Sequence, residues 1–240
     1  MSMRLSKSGL QTYLKCPYAY YLHYILGHTG PPTEEMEIGV RFHEDADKFF
    51  DKVSLRELAD QTAIFGIERY IRSLYPEGSL YDKFAHIQTT HYMTLNKKEE
   101  FIPVERELKV EVKNAPDDVL DVGIIDWIAQ ENGMTILGEY KTGKFRQGIN
   151  QELMMYKVLV EYATEYKIDA VCAIYPNELY GSRLPSGVYF KKPSYETVAR
   201  KKVAYVKDMI RKKKFSQKKY NLCAWCENAD ICFENELVIE

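Results

Sequence analysis

The stretch that most constrains this chain is DWIAQENGMTILGEYK, Asp126 to Lys141, which reads as two β-strands joined by a tight turn. Asn132-Gly133 is the strongest short-range hairpin signal a sequence carries, because both central positions of a type I′ turn need φ > 0. With those two residues as the loop, Glu131 faces Met134, and counting back along each strand puts Asp126 directly opposite Glu139. Opposed side chains share a face with Cβ atoms roughly 4.5–5.5 Å apart, and two carboxylates held there repel unless something positive lies between them. A divalent cation is the obvious candidate. By the strand period of 2, Lys141 projects on the Glu139 face and Tyr140 on the other. The Asp126 face also carries Leu120, Val122, Ile124 and Ile128, so an ionised carboxylate stands in an apolar row, where burial without a partner is costly.

Around the hairpin, residues 6 to 26 read as helical with Ser6 as N-cap, interrupted at Cys16 by Pro17, from which a second helix starts. A helix over about Thr33 to Lys52 places Met36, Gly39, His43, Ala46 and Phe50 on one inner stripe. Two further helices, 55 to 75 and 80 to 98, are separated by Pro76-Glu77-Gly78. From Phe101 to Lys113 apolar Val104, Leu108, Val110 and Val112 alternate with Glu105, Glu107, Lys109 and Glu111, as in a half-buried strand beside the hairpin. Glu105 there is either a neighbour of the cation or part of a solvated face. A helix from about Gln147 to Tyr166 follows, then strands at Ala170 to Tyr175 and Tyr180 to Phe190, the second with a turn near Pro185-Ser186-Gly187. The last long helix, about Ser194 to Lys214, shows Tyr195, Val198, Tyr205, Val206, Met209 and Ile210 on its buried side. This order predicts an α/β protein with a central mixed β-sheet flanked by helices.

A chain of 240 residues suffices for one large domain, and no repeat or linker divides it, so residues 1–240 are read as a single domain. Within it, 33–100 is expected to be the helical part, 101–190 the sheet that carries the paired carboxylates and 191–214 a basic helix. With 45% hydrophobic and 28% charged residues the composition is that of a soluble globular protein. No apolar run approaches the ~20 residues of a membrane span, and MSMRLSKSGL lacks the apolar core of a signal peptide, so the expectation is a cytoplasmic protein without a membrane partner. Net charge is −2, but Lys191 to Tyr220 holds twelve Lys/Arg against Glu196 and Asp208. That asymmetry fits either a solvated face or a surface that contacts phosphates, for which Lys218 and Lys219, beyond the helix, are the best candidates. No G-x4-G-K-[ST] loop occurs, so an ATP-driven motor would have to be another chain.

Cys223, Cys226 and Cys232 form C-x2-C-x5-C, with Cys16 far upstream and Cys172 in a buried strand as a small apolar residue. Disulfides are improbable in an intracellular chain, which leaves metal ligation. Four thiolates accept Zn2+ or an iron–sulfur cluster, and spacing does not choose between them.

The triplet Asp126, Glu139 and Lys141 resembles the Asp-x(n)-Glu-x-Lys signature of PD-(D/E)xK nucleases, with Ile125 where that family usually has proline. Gly39 and His43 resemble the G-x3-H element of RecB-like members. CPYAYYLHY around Cys16 and CAWCENADIC from Cys223 to Cys232 resemble the cluster segments of AddB-type nucleases and CRISPR-associated RecB-like exonucleases. The resemblance implies a restriction-endonuclease-like core and a metal-dependent DNA exonuclease. It further implies Mg2+ or Mn2+ held by His43, Asp126, Glu139 and the Tyr140 carbonyl, with Lys141 orienting the attacking water. A [4Fe–4S] cluster on Cys16, Cys223, Cys226 and Cys232 would join residues 1–30 to 215–240 as a structural staple. Where relatives carry Gln-Leu-x-x-Tyr, this chain has Glu152, Leu153 and Tyr156, with a glutamine at Gln151, as candidate DNA contacts. The implied partners are DNA, single-stranded or with free ends, and helicase or CRISPR-adaptation proteins. A non-catalytic nucleic-acid-binding module would keep the basic helix and the thiols but has no use for the carboxylate pair beside Lys141.

Overall fold

A computed structural model describes residues 4–145, 148–178, 188–190, 193–219, 223 and 226–236. At its centre is the hairpin of β2 (Val122–Glu131) and β3 (Met134–Tyr140), with Glu131 paired to Met134 and the ladder running to Trp127 opposite Gly138. Asn132 and Gly133 have φ of 50° and 78°, as a type I′ turn requires. The Trp127 indole lies flat over Gly138, where a Cβ would come within 1.8 Å of Cζ2. β1 (Glu105–Glu111) pairs antiparallel with β2, β4 (Ala170–Ile174) parallel with β3, and β5 (Val188–Phe190) antiparallel with β4, in the order β1-β2-β3-β4-β5. The parallel step needs a crossover, which α7 (Ile149–Ala163) supplies. The remainder of the expected strand over 180–190, its turn at 185–187, and Gln147 lie outside the described residues.

Both faces of the sheet are buried. On one side α1 (Lys7–Lys15), α7 and α8 (Pro193–Arg211) enclose a core with Ile125, Ile128, Leu137 and Val171 of the strands. On the other, Trp127, Ala129, Ile136 and Tyr140 pack against α3 (Glu34–Lys52), α4 (Leu55–Ala59), α5 (Ile64–Ser73) and α6 (Ser79–Thr94). Leu153 and Leu159 of α7 are fully buried, and each such side chain contributes about 1.5–3 kcal/mol. Among the described residues no helix is long and apolar enough to cross a membrane.

The start of the chain is held by Asp121: its carboxylate accepts the Leu5 N–H (2.8 Å) and Lys207 Nζ (2.7 Å), and its own N–H donates to the Leu5 carbonyl (3.0 Å). Ser6 then caps α1 by accepting the Gly9 N–H at 3.1 Å. The break falls as expected: Cys16 is extended (φ −153°, ψ 111°), and α2 (Pro17–Tyr20) begins at the proline and continues as a π-helical turn, Tyr21–Ile25.

Several helical expectations are corrected. The helix over 55 to 75 is two, because Leu58 and Ile67 both enter the core and, nine residues apart on one helix, would point about 180° from each other. α6 ends at Thr94 rather than 98. On α3 the buried stripe is Phe42, Ala46, Phe49 and Phe50, while Met36 is exposed. On α8 it is Ala199, Val203, Val206 and Ile210, leaving Val198 and Tyr205 in solvent. Val206 and Ile210 are buried and Tyr195 and Met209 half-buried against the core, as expected; the unexpected members of that face are the smaller Ala199 and Val203. Three of the five cations of this helix are ion-paired, Arg200 with Glu196 and Asp118, Lys207 with Asp121 and Arg211 with Asp117, and Lys212 just beyond it pairs with Asp208.

Candidate active site

β1 and β2 pair on either side of one gap: Arg106 faces Trp127 and Leu108 faces Ile125, so the rung between belongs to Glu107 and Asp126. Glu107 has φ 45°, a left-handed conformation costly for a residue with a Cβ. Opposite it the facing of β2 slips. Ile125 and Ile128 both join the α7-side core while Trp127 and Ala129 face α3, and Ile124 is exposed. The expected apolar row of Leu120, Val122, Ile124, Asp126 and Ile128 is therefore broken at Asp126, whose side chain is engaged from α3.

Asp126 Oδ2 accepts the Tyr140 N–H at 2.6 Å and lies 3.3 Å from His43 Nδ1. Ligand atoms of His43, Glu107 and Asp126 lie within 4.8 Å of one another. Burial pulls the His43 pKa down, but the hydrogen bond and charge of Asp126 outweigh it and the net shift is upward. Glu107 is also pushed up, by burial and then by the Asp126 carboxylate. Two crowded carboxylates beside an imidazole suit a hard divalent cation, which relieves that repulsion.

Glu139 stands one rung beyond Trp127 and Gly138 in the register, as counted from the turn, but its carboxylate is engaged from the other side. It is 5% exposed, and Oε1 accepts both Lys7 Nζ and Lys141 Nζ, while Oε2 has no hydrogen-bond partner among the described residues. Burial pushes its carboxyl up, and Lys7 followed by Lys141 more than reverses this, holding it below the usual value. Glu139 lies outside the three-residue group, with its Oε1 taken by the two ammonium groups. The orphaned, buried Oε2 fits a metal ligand. Tyr140 faces away, as expected, buried among Phe42, Phe84 and Trp127.

Two residues here were missed. Glu107, not Glu105, reaches the carboxylate group; Glu105 accepts from the Tyr166 hydroxyl at 2.8 Å. Lys7 comes from the far end of the chain, and its Nζ also lies 4.2 Å from the centre of the Tyr156 ring. Tyr156 is 9% exposed, with its hydroxyl pKa driven up by burial and then by Glu139. Gln151 accepts from Lys202 of α8, and Glu152 lies in the first turn of the helix that carries Tyr156.

The four cysteines of the spaced pattern converge. Cys16, Cys223, Cys226 and Cys232 line one cavity of about 210 Å³ together with Tyr18, Leu22, Lys218 and Lys219. Thus the two lysines singled out for phosphate contact border the thiol cavity. Cys172 is fully buried in β4.

The model of one protein family, described as the PD-(D/E)XK nuclease superfamily, matches residues 4–233. No curated protein matches the chain.

Proposed function

As this chain belongs to the PD-(D/E)XK nuclease superfamily, we propose that it is a divalent-metal-dependent deoxyribonuclease that degrades DNA from an end and is stapled by an iron–sulfur cluster. The mixed sheet flanked by helices is the restriction-endonuclease-like fold of that superfamily. The observation that carries the reading is the convergence of His43, Glu107 and Asp126 within 4.8 Å, one strand from Glu139 and Lys141.

In this reading His43, Glu107, Asp126, the Oε2 of Glu139 and the Tyr140 carbonyl would hold Mg2+ or Mn2+, which would supply a Lewis acid for the scissile phosphate and a more acidic attacking water. Lys141, with its side chain 25% exposed, orients that water and offsets charge on the phosphorane. The Tyr140 N–H fixes the Asp126 carboxylate, and buried Trp127 and Tyr140 exclude water from the α3 side. Four thiols around one cavity with Tyr18 and Leu22 fit a [4Fe–4S] cluster, which would tie the helix break at Cys16 to the C-terminal segment without a redox step. Gln151, Glu152, Tyr156, Lys218 and Lys219 remain the candidate DNA contacts.

End-labelled single- and double-stranded DNA incubated with Mn2+ tests this reading. Progressive shortening from one end that EDTA abolishes is expected; metal-independent cleavage, or none with either substrate, overturns it.

A further inference from the structure

Lys7 sits in the first turn of α1, 7% exposed, with its Nζ on Glu139 Oε1 and above the Tyr156 ring at 4.2 Å. Its place is set by backbone: Asp121 grips Leu5, and Ser6 caps the helix. Burying an ammonium group is costly without a partner, so this lysine is held by its surroundings rather than left to chance. Lys141 competes for the same oxygen but differs in freedom. The Lys7 side chain is 9% exposed and that of Lys141 25% exposed, at the end of β3. One carboxylate oxygen thus carries two cations, one enclosed and one nearer solvent, while its second oxygen has no partner among the described residues.

Resting on the metal-dependent nuclease reading above, we propose that Lys7 is a positioning residue: the fixed counterion of Glu139 Oε1, which leaves Oε2 to the cation and releases Lys141 to the water and scissile phosphate. Without Lys7, Lys141 becomes the only counterion of a buried carboxylate and stays bound to it, so cleavage slows. The site at the same time loses one positive charge close to the divalent ion, so the ion binds more tightly. The two effects run in opposite directions, whereas a loosened α1 would weaken both binding and turnover.

The test is Mn2+ titration by calorimetry and cleavage of end-labelled DNA, both on the full chain. Lys7→Met is expected to tighten Mn2+ binding by at least about threefold, and to lower kcat by at least about tenfold with KM for DNA within about twofold. In a Glu139→Gln background the same change is expected to move Mn2+ affinity by less than about twofold, because its partner is gone. Lys7→Gln, which keeps a polar side chain without the charge, gives the same readings should Lys7→Met not fold. Unchanged or weaker Mn2+ binding in the Lys7 variants, or an equal shift in the Glu139→Gln background, overturns the assignment. Asp126→Ala separates the two levels. Mn2+ binding that survives it intact sinks the metal-site reading itself, and an Asp126-dependent site indifferent to Lys7 sinks only the role of Lys7.

Discussion

Asp126 Oδ2 lies 3.3 Å from His43 Nδ1 and takes the Tyr140 N–H at 2.6 Å, so one carboxylate joins α3 to the end of β3. The pairing raises the His43 pKa above its ordinary value near 6.5. A folded-state pKa above the unfolded one gives stability that is complete below about pH 6.5 and is lost as pH rises through the folded value. Metal-free protein is therefore expected to lose stability to urea on going from pH 6 to 8 (about those values), and Asp126→Asn to remove most of that loss. An unaltered pH dependence in Asp126→Asn counts against the pairing.

Asp126→Ala and Lys141→Ala are expected to reduce cleavage by at least about 10²-fold while leaving folded protein that still binds DNA. Asp126→Ala also orphans the buried Tyr140 N–H, which costs about 1–3 kcal/mol of stability. Circular dichroism, gel shift and cleavage assays on the same preparations separate these effects, and wild-type cleavage by either variant rules out the assigned roles.

Glu107 is held at φ 45°, where a glycine would rest without strain. Glu107→Gly is expected to stabilise the metal-free protein, by about 1 kcal/mol before the loss of the side chain is counted, while weakening Mn2+ binding. A Tm that rises as metal affinity falls identifies backbone strain maintained for the site; a fall in both shows that the side chain matters to the fold.

Gly138→Ala sets a Cβ 1.8 Å from the Trp127 indole, which the α3-side core holds in place. The expected cost is about 3 kcal/mol or more, with partial rescue by a second change, Trp127→Leu. Denaturant melts of the single and double variants measure the coupling, and additive effects contradict the contact.

Anaerobically purified protein is expected to be brown and to contain iron and sulfide. Cys16→Ser and Cys226→Ser should each bleach it and lower its Tm, since both thiols border the same cavity. Stoichiometric zinc without iron or sulfide overturns the cluster and leaves a zinc staple.

The hairpin was legible because a two-residue turn leaves only one register to count. Its success did not extend to β1, whose connection to β2 runs from Val112 to Asp121 and sets no register of its own, so Glu107 stayed hidden in an ordinary alternating row. The slip of facing at Asp126 was equally silent, since period-2 counting assumes an unbroken pleat. Helix phase failed where Ala199 and Val203, rather than the larger Tyr205, were buried. Lys7 carried no local signal, because its partner is 132 residues away. The cysteines were found by spacing, yet only the fold shows that Cys16 meets the other three across the intervening chain.

The seat of α1 has a consequence for biosynthesis. The Tyr13 hydroxyl donates to the Lys214 carbonyl, and Phe215 packs on the rings of Tyr13 and Tyr20. A ribosome therefore releases Glu107, Asp126 and Glu139 well before Phe215, so the contacts that complete the seat of the first helix form last, long after Asp121 has become available to Leu5. Nascent chains thus carry all three carboxylates of the candidate site before the berth of α1 is complete.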